Sequence, residues 1–422
     1  MFMLRFCGVI PLIFAACLLV GCEQKAVNYR IEHEFSVADA QFARVMGHLL
    51  GPPIVRGNQV VSLENGDEIF PAMLAAIGAA QKSIDFETYV YWSGTIGKAF
   101  TDALAERARA GVQVHVLLDW VGAGKIDHAY ISEMKKAGVN VVEYHPLRFY
   151  DVTSASRLNN RTHRKLLIVD GAIGFTGGAG VADEWLGDAQ DPKHWRDNHY
   201  RIEGPVVAQL QAAFLDNWMK TTGEVLQNEA YFAPLKEVGD QPAQMFISSA
   251  SGGSLSMQLM YMLSIAAAQK RVLIGSAYFV PDDLTMKTMI AARKRGVRVV
   301  VLVPGEKIDE KEVRSASRAR WGQMLEAGVE IWEYQPTMYH TKVMIVDDRW
   351  VSIGSSNFDN RSFRLNDEAN LNVLDETFAA EQAQLFEEDL KRSHQVTFEE
   401  WKHRPLWERF GEAWGSLLGP LL

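Results

Sequence analysis

Residues Tyr339–Asp347 read YHTKVMIVD, with a histidine and a lysine two positions apart, directly before four apolar residues and an aspartate. Residues Thr162–Asp170 read THRKLLIVD and repeat that arrangement. Alternate residues of a β-strand share one face, so the histidine and lysine of each stretch point in the same direction. The apolar run after them is typical of a strand covered on both faces. Two such polar pairs, each at the mouth of a buried strand, predict one site built from two similar halves.

The blocks around these stretches also recur in the same order. They are residues 79–92, 108–120, 135–146 and 162–178 in the first copy, and 267–280, 293–305, 325–336 and 339–357 in the second. Four ordered blocks indicate a duplicated chain. Each copy alternates helix-like and strand-like stretches, with glycines placed where they can terminate helices. The predicted fold class is therefore α/β, with two pseudo-symmetric halves, each a mixed sheet flanked by helices, and the active site at their interface.

The composition is that of a globular chain that can bury a large core. It has 422 residues, of which 48% are hydrophobic, enough for two domains or one duplicated domain. The formal net charge is -9, which disfavours a general nucleic-acid binder because the molecule as a whole repels polyanions. A local basic pocket for a phosphate is compatible with that charge.

The N-terminal region has the layout of a secretory signal. One cation, Arg5, precedes an apolar run from Phe6 to Val20 that is short for a hydrocarbon core of about 30 Å. The three cysteines all lie within the first 22 residues. The sequence LVGC at 19–22 resembles the lipobox of bacterial lipoproteins, which implies cleavage before Cys22 and acylation of that residue. The alternative is an uncleaved single-pass anchor, and either tethers the chain to a membrane.

We expect five segments along the chain. They are a signal peptide of the lipoprotein type at 1–21, an N-terminal segment at 22–62, the first half at 63–240, the second half at 241–395 and an amphipathic tail at 396–422. In the tail, Trp407, Phe410, Trp414 and Leu417 or Leu418 form an aromatic apolar stripe that suits a lipid headgroup region. A helix that packs on the protein's own core explains this stripe equally well.

The two His-x-Lys pairs are the candidate catalytic groups. One imidazole can attack an electrophile while the other protonates the leaving group, and the roles can reverse in a second step. The two ammonium groups can stabilise charge on phosphoryl oxygens, a role that metal ions take elsewhere. A metal site is a poor alternative, since lysine is not a usual metal ligand. The set therefore predicts phosphodiester transfer through a phosphohistidine.

These residues resemble the signature of the phospholipase D superfamily, which is H-x-K-x4-D followed by G-[SG]-x-N. The second copy matches it with His340, Lys342, Asp347, Gly354, Ser355 and Asn357, and the first with His163, Lys165, Asp170, Gly177 and Gly178. The first copy departs from it at Gly180, where the family usually has a phosphate-gripping asparagine. The two aspartates belong to the catalytic signature, yet they follow the lysines at an odd spacing and lie at turns. A scaffold role explains them better than a direct chemical one.

The resemblance also implies roles. His163 is expected to be the nucleophile and His340 the general acid, with Ser355 and Asn357 in support. Asp197, in HWRDNHYRIEG, and Glu368, in RLNDEANL, correspond to acids that orient the histidine of the opposite half. A carboxylate bound to one ring nitrogen fixes the tautomer and leaves the other nitrogen free to react.

Within the superfamily, the most similar group is the bacterial cardiolipin synthases, on the stretches HRKLLIVDGAIGFTGG, ADEW, WRDNHYRIEGP and VDDRWVSIGSSNFDNRSFRLNDEANL. This resemblance implies transfer of a phosphatidyl group from one phospholipid onto the glycerol headgroup of phosphatidylglycerol or a related alcohol, with no metal or nucleotide cofactor. The expected partners are membrane phospholipids, with phosphatidylglycerol first and phosphatidylethanolamine second. The tether predicts a location on the extracytoplasmic face of a cell membrane.

Three alternatives remain open at this point. Water as the acceptor makes a phospholipase D that releases phosphatidic acid. A nuclease of the same superfamily needs a basic groove for phosphates. Candidate cations for such a groove are Arg157, Arg161 and Arg164, together with Arg314, Arg318 and Arg320. A lipid-binding lipoprotein with a retired site is disfavoured, because both histidines and both lysines are present.

Overall fold

The computed structural model of the protein describes residues 29–146, 159–249 and 255–406, together with 408, 409, 411 and 412. Residues 33–422 form one compact unit, which contains both sequence copies. Residues 1–32 form the other unit, of which 29–32 are described. The signal-like run, Cys22 and the aromatic positions of the tail stripe lie outside the described residues. No helix in the described ranges is long and apolar enough to cross a membrane.

Within the described residues, fifteen strands belong to a single sheet. They are β1 (Val55–Glu64), β2 (Ser83–Thr88), β3 (Gln113–Asp119), β4 (Asn140–Tyr144), β5 (Leu166–Val169), β6 (Ile173–Gly177), β7 (Asn198–Glu203), β8 (Gln241–Ser248), β9 (Arg271–Gly275), β10 (Arg298–Pro304), β11 (Glu330–Tyr334), β12 (Val343–Val346), β13 (Trp350–Gly354), β14 (Glu368–Leu374) and β15 (Ser393–Val396).

The same part of the chain contains eleven α-helices. They are α1 (Ala40–Val45), α2 (Asn65–Ala79), α3 (Thr95–Arg109), α4 (His128–Ala137), α5 (Val207–Thr222), α6 (Ser256–Ala267), α7 (Asp283–Lys294), α8 (Lys311–Ala319), α9 (Gly322–Glu326), α10 (Glu376–Lys391) and α11 (Phe398–Lys402). A 3₁₀ turn spans Asp183–Trp185, and π-helical turns span Met46–Leu50 and Arg361–Leu365.

The strand order shows the duplication directly. It runs β15-β11-β10-β9-β12-β13-β14-β8-β1-β7-β6-β5-β2-β3-β4, and it is mirrored about the β8–β1 pair once β15 is set aside. Three strands in each half are parallel, β2-β3-β4 and β9-β10-β11, and the others pair antiparallel. The predicted pair of α/β halves with mixed sheets is therefore confirmed. The two half-sheets are joined edge to edge, with Val55 opposite Ala243.

The apolar strands and the helices form two large layers of core. Helices α2, α3 and α4 cover one face of the first half-sheet, where Phe100 and Leu104 pack with Phe175. Helices α5 and α10 lie in a core shared by both halves, which includes Phe214 and Phe386. Every residue of β5 and β12 is buried, as the continuous apolar runs predict. Each such aliphatic side chain stabilises the fold by about 1.5–3 kcal/mol on leaving water.

Glycine terminates α4 as the sequence predicts. Gly138 is its C-cap with φ of 101°, a left-handed conformation that costs little without a Cβ atom. The chain then enters β4 directly. A cap of this kind lets the helix return the chain to the next parallel strand.

Candidate active site

A short backbone ladder crosses from the second half to the first directly before His163. Thr162 forms a parallel bridge with Asp367, and the backbone N–H of His163 donates to the carbonyl oxygen of Asp367 at 2.9 Å. Glu368 is the next residue on the opposite segment, so its carboxylate lies beside the His163 ring. Nδ1 of His163 is 3.0 Å from Oε2 and 3.1 Å from Oε1 of Glu368. The carboxylate is fully buried and the histidine 8% exposed.

The second half repeats this arrangement in the opposite direction. Arg196 forms a parallel bridge with Tyr339, and the backbone N–H of His340 donates to the carbonyl oxygen of Arg196 at 2.7 Å. Asp197 follows on the opposite segment, and its Oδ2 lies 2.7 Å from Nδ1 of His340. His340 is 5% exposed and Asp197 is fully buried. Each histidine thus pairs with a carboxylate of the other half, as the resemblance implied.

Different donors hold the two carboxylates. Oγ of Ser355 donates to Glu368 Oε2 at 2.5 Å, and Nδ2 of Asn366 donates to Oε1 at 3.2 Å. Asp197 instead receives the indole N–H of Trp185 on Oδ2 at 2.9 Å. Both carboxylates are therefore fixed by neutral donors as well as by the histidines. Such support keeps the imidazole rings in one orientation.

The lysines lie beside their histidines, as the i, i+2 spacing predicts. Nζ of Lys165 donates to the carbonyl oxygen of His163 at 2.8 Å. Nζ of Lys342 lies 2.5 Å from the carbonyl oxygen of His340, 2.9 Å from Nδ1 of its ring and 3.1 Å from Nε2. Both lysines are buried. Two ammonium groups and two imidazoles thus share one water-poor site.

Burial decides the protonation of the histidines. It lowers the pKa of His163 to about 4, and Glu368 only partly offsets this effect. Burial, together with Lys342, lowers the pKa of His340 to about 4. Burial alone would raise the pKa of Glu368 and Asp197, but the neighbouring histidines and lysines hold both pKa values below their usual range. At neutral pH both carboxylates are ionised and both imidazoles are neutral. An ionised carboxylate accepts hydrogen bonds only, so each Nδ1–H donates and each Nε2 keeps its lone pair.

Burial also affects the lysines, and the charge of Lys342 acts on Lys165. Burial lowers the pKa of Lys165 to about 7, with Lys342 as the second cause. Burial lowers the pKa of Lys342 to about 8, partly offset by Asp197 and Glu368. The cross-half effect of Lys342 on Lys165 shows that both motifs contribute to one electrostatic site. A bound anion would offset this destabilisation of the two ammonium groups.

The aspartates of the two signatures lie outside this cluster. Asp170 accepts hydrogen bonds from the backbone N–H groups of residues 81–83, and Asp347 from those of residues 269–271. Each lies at the far end of its strand, roughly 16 Å from the lysine at about 3.3 Å per residue. These contacts support the scaffold interpretation. The aspartates hold the turns that lead into β2 and β9, and they do not contact the histidines.

Comparison with known proteins identifies the family of this chain. The sequence model of the family described as "Cardiolipin synthase, PLD-like domain" matches residues 73–218 and 261–390, one stretch in each half. The cardiolipin synthase of Alkalihalophilus pseudofirmus is 35% identical over 380 residues, which are 89% of this chain and 75% of that protein. The chain belongs to the cardiolipin synthase family. It is a phosphatidyltransferase of the phospholipase D superfamily and acts on phospholipids, which confirms the sequence interpretation.

Other similarities agree with this membership. The cardiolipin synthase of Geobacillus kaustophilus is 35% identical over 372 residues, covering 88% of this chain and 74% of that protein. The phosphatidylserine synthase of Haemophilus influenzae superposes with a TM-score of 0.66 over 86% of this chain and 95% of that protein. Their sequences are 14% identical, so this neighbour establishes the shared fold.

The family asparagine is present in one half and has no room in the other. Oδ1 of Asn357 accepts the backbone N–H of Tyr278 at 3.3 Å. At Gly180, an added Cβ atom would lie 2.7 Å from Cβ of Val90. The Val90 side chain therefore occupies the space that an amide would need. The site of this family member is consequently asymmetric, with its asparagine only on the side of His340.

The arginines considered for a nucleic-acid groove are engaged elsewhere. Arg157 lies outside the described residues, and the other five pair with carboxylates of the protein. The pairs are Arg161 with Asp119, Arg164 with Asp216, Arg314 and Arg318 with Glu333, and Arg320 with Asp283. Arg161 and Arg164 are fully buried in the fold. These residues stabilise the protein instead of lining a basic groove, which agrees with family membership.

Three site residues were not identified from the sequence. Asn366 lies two residues before Glu368, and His199 two residues after Asp197, so alternation along the strand could have placed both on the site's face. His199 is 1% exposed, and neither ring nitrogen has a hydrogen-bond partner in the described part of the chain. It lines a cavity of ≈ 10 Å³ beside the first lysine. Trp185 carries no comparable signal, because it reaches the site from a separate turn.

Proposed function

We propose that this chain transfers a phosphatidyl group between phospholipids through a phosphohistidine on His163. The observation that carries the proposal is the cross-half pairing of two buried histidines with two buried carboxylates. In the first step, Nε2 of His163 attacks the phosphorus of the donor lipid, and the P–O bond to the leaving alcohol breaks as His340 gives that oxygen a proton. In the second step, an acceptor hydroxyl loses its proton to His340 and attacks phosphorus, and the P–N bond to His163 breaks.

The contacts of the lysines favour this assignment of the two histidines. Nζ of Lys342 lies 2.9 Å from Nδ1 and 3.1 Å from Nε2 of His340, so the ammonium group crowds both nitrogens of that ring. Lys165 directs its ammonium group to the carbonyl oxygen of His163, which leaves Nε2 of that ring available for attack. His163 is therefore the better nucleophile, because, among the described residues, no lysine ammonium group lies against its ring nitrogens.

Substrate binding favours protonation of the acid, and the proton comes from solvent. Burial, together with Lys342, lowers the pKa of His340 to about 4, so the ring is neutral in the free protein. A phosphodiester anion between the lysines neutralises the charge of Lys342 and favours an imidazolium. His340 then takes up a proton as the substrate binds. Asp197 stabilises the imidazolium through Nδ1, as a carboxylate does in other histidine-based sites.

The seclusion of the histidines favours an alcohol over water as the acceptor. His163 and His340 are 8% and 5% exposed, so bulk water has little access to Nε2 or to a bound phosphorus. We propose phosphatidylglycerol as donor and acceptor, with phosphatidylethanolamine as a second donor. We also propose acylation at Cys22 and an extracytoplasmic membrane location. The phospholipid substrates remain in their bilayer, so the enzyme has to be held beside it.

Mass spectrometry of lipids formed from phosphatidylglycerol vesicles tests the function. Wild-type protein is expected to form cardiolipin and free glycerol, and His163→Ala and His340→Ala are expected to form none. A variant outside the cluster, Asp348→Asn, serves as the control and should retain the product. Phosphatidic acid without cardiolipin would identify a hydrolase with water as acceptor. Cardiolipin formed by either histidine variant at the wild-type rate would refute the two-histidine mechanism.

A further inference from the structure

The two catalytic carboxylates accept hydrogen bonds from different supporting donors. On the side of His163, Oγ of Ser355 donates to Glu368 at 2.5 Å. The matching position in the first copy is Gly178, where an added Cβ atom would lie 2.1 Å from Oδ1 of Asp197. No side chain fits there without displacing the carboxylate. The donor that Ser355 supplies in one half therefore has to come from elsewhere in the other.

Trp185 supplies that donor from outside the signature. Its indole N–H donates at 2.9 Å to Oδ2 of Asp197, the same oxygen that accepts Nδ1–H of His340 at 2.7 Å. The Trp185 ring also packs edge-on against the His340 ring, with centroids 5.2 Å apart. One buried indole thus contacts both members of the pair, so it restrains the carboxylate and the imidazole together.

The position of this indole is itself fixed by the fold. Trp185 ends the 3₁₀ turn that begins at Asp183, whose carboxylate caps α3 by accepting the backbone N–H groups of Thr95 and Ile96 at 2.9 Å. The indole ring packs against that of Trp195 with centroids 4.5 Å apart. A helix cap and a second indole therefore hold the donor in place, which is what a positioning residue requires.

We propose that Trp185 is a positioning residue that orients the Asp197–His340 pair, as Ser355 orients the Glu368–His163 pair. This inference rests on the proposed function, because its kinetic consequence follows from His340 acting as the acid. Loss of the indole N–H impairs protonation of the leaving alcohol. It leaves attack by His163 intact, since that histidine has its own carboxylate and its own donor.

The test compares two leaving groups in Trp185→Phe and Ser355→Ala. Glycerol, released from phosphatidylglycerol, needs a proton, whereas p-nitrophenolate, released from a phosphatidyl p-nitrophenyl ester, does not. Trp185→Phe is expected to slow turnover of phosphatidylglycerol about tenfold, or about 1.4 kcal/mol, and to change the initial release of p-nitrophenol by less than about twofold. Ser355→Ala is expected to slow both reactions, since it acts on the nucleophile.

Two further variants separate positioning from loss of stability. Trp218→Phe removes another buried indole, whose N–H donates to Glu224 at 3.4 Å outside the site, and should give no dependence on the leaving group. Gly178→Ser displaces the Asp197 carboxylate with Trp185 in place, and should reproduce the pattern of Trp185→Phe. If Trp185→Phe folds poorly, Gly178→Ser still tests whether a displaced Asp197 carboxylate makes the rate depend on the leaving group. An equal effect of Trp185→Phe on both substrates, or no effect on either, would overturn the inference.

Proton NMR gives a readout that does not depend on turnover. The Nδ1–H of a histidine bonded to a buried carboxylate resonates at low field, and the signals are assigned with His163→Ala and His340→Ala. Trp185→Phe is expected to shift the His340 signal and leave the His163 signal in place, and the reverse is expected for Ser355→Ala. An unmoved His340 signal would overturn the positioning role. Failure of the wild-type protein to form cardiolipin would instead count against the proposed function. The NMR comparison does not depend on turnover, so it would still test the positioning role.

Discussion

Nδ1 of His163 lies 3.0 Å from Oε2 of Glu368, although 205 positions separate the two residues in the chain. The backbone ladder between Thr162 and Asp367 places them together, and a second ladder does the same for His340 and its carboxylate. Each catalytic pair therefore exists only when both halves are assembled. The duplication produces a site in which neither half holds a complete histidine–carboxylate pair.

Neutral amides in place of the two carboxylates are expected to abolish most activity. Glu368→Gln and Asp197→Asn keep the side-chain volume, but an amide does not stabilise an imidazolium and does not enforce the Nδ1–H tautomer. We expect cardiolipin formation to fall by about 100-fold or more in each variant. Initial rates on phosphatidylglycerol vesicles measure this. Activity within about threefold of wild type would show that the carboxylates only fill space.

The sequence was sufficient for the motif residues and for the two halves, because both signals are local. The i, i+2 spacing placed each histidine with its lysine, and the recurring blocks predicted the paired mixed sheets that the structure contains. The odd spacing between His163 and Asp170 likewise predicted that the aspartate does not share the face of the histidine. In each case the geometry of a single strand carries the information.

The structural features that the sequence did not reveal depend on contacts between distant segments of the chain. The edge pairing of β1 with β8, which makes one sheet of two, leaves no mark on either strand's pattern. The indole of Trp185 reaches Asp197 from a separate turn. Val90 blocks the amide position at Gly180 through a contact that no spacing rule indicates. These features follow from packing between elements, which periodicity along one element does not encode.

Anion binding is expected to weaken as the pH rises. The pKa of Lys165 is lowered to about 7 and that of Lys342 to about 8, so the charged forms exist below these values and are lost above them. Sulfate, a tetrahedral oxyanion whose charge is constant over this range, should bind about tenfold more weakly at pH 8 than at pH 6. Isothermal titration calorimetry measures the dissociation constants. Lys165→Met should weaken binding at pH 6, and a wild-type affinity that does not vary with pH would contradict the account.

Restoring the family asparagine is expected to harm this protein. Gly180→Asn forces a side chain against Val90, and we expect the free energy of unfolding to fall by about 1–3 kcal/mol with no gain in activity. The double variant Gly180→Asn with Val90→Ala should regain only a minor part of that loss, because it removes the Cγ1 methyl group at 3.2 Å and keeps the nearest atom, Cβ, at 2.7 Å. Urea denaturation measures both. A single variant as stable as wild type would show that the first half can accommodate the amide.

A buried arginine next to the first histidine is expected to hold the halves together. Arg164 is fully buried and donates to Ala213 O at 2.7 Å, Asp216 Oδ2 at 3.0 Å and Ser248 O at 3.0 Å. Burial raises the pKa of Glu87 to about 7, and the charge of Arg164 opposes that rise. Arg164→Met removes this charge and leaves Asp216 and two carbonyl oxygens without the hydrogen bonds from Arg164, so we expect a loss of about 3–5 kcal/mol in unfolding free energy.

The exposed ion pair of Arg349 with Glu376 provides the matched control for that variant. Arg349→Met should change the unfolding free energy by less than about 0.5 kcal/mol. Urea denaturation of both variants makes the comparison. Equal losses of unfolding free energy in the two variants would show that the buried contacts of Arg164 stabilise the protein no more than an exposed ion pair does.

The most direct test of the central claim is identification of the covalent intermediate. Protein mixed with phosphatidylglycerol vesicles is quenched within milliseconds in alkaline denaturant, which preserves phosphohistidine, and is digested and analysed by mass spectrometry. The account predicts a phosphatidyl adduct on His163 that is absent from His163→Ala. An adduct on His340 instead, or cardiolipin forming while no histidine carries an adduct, would contradict it.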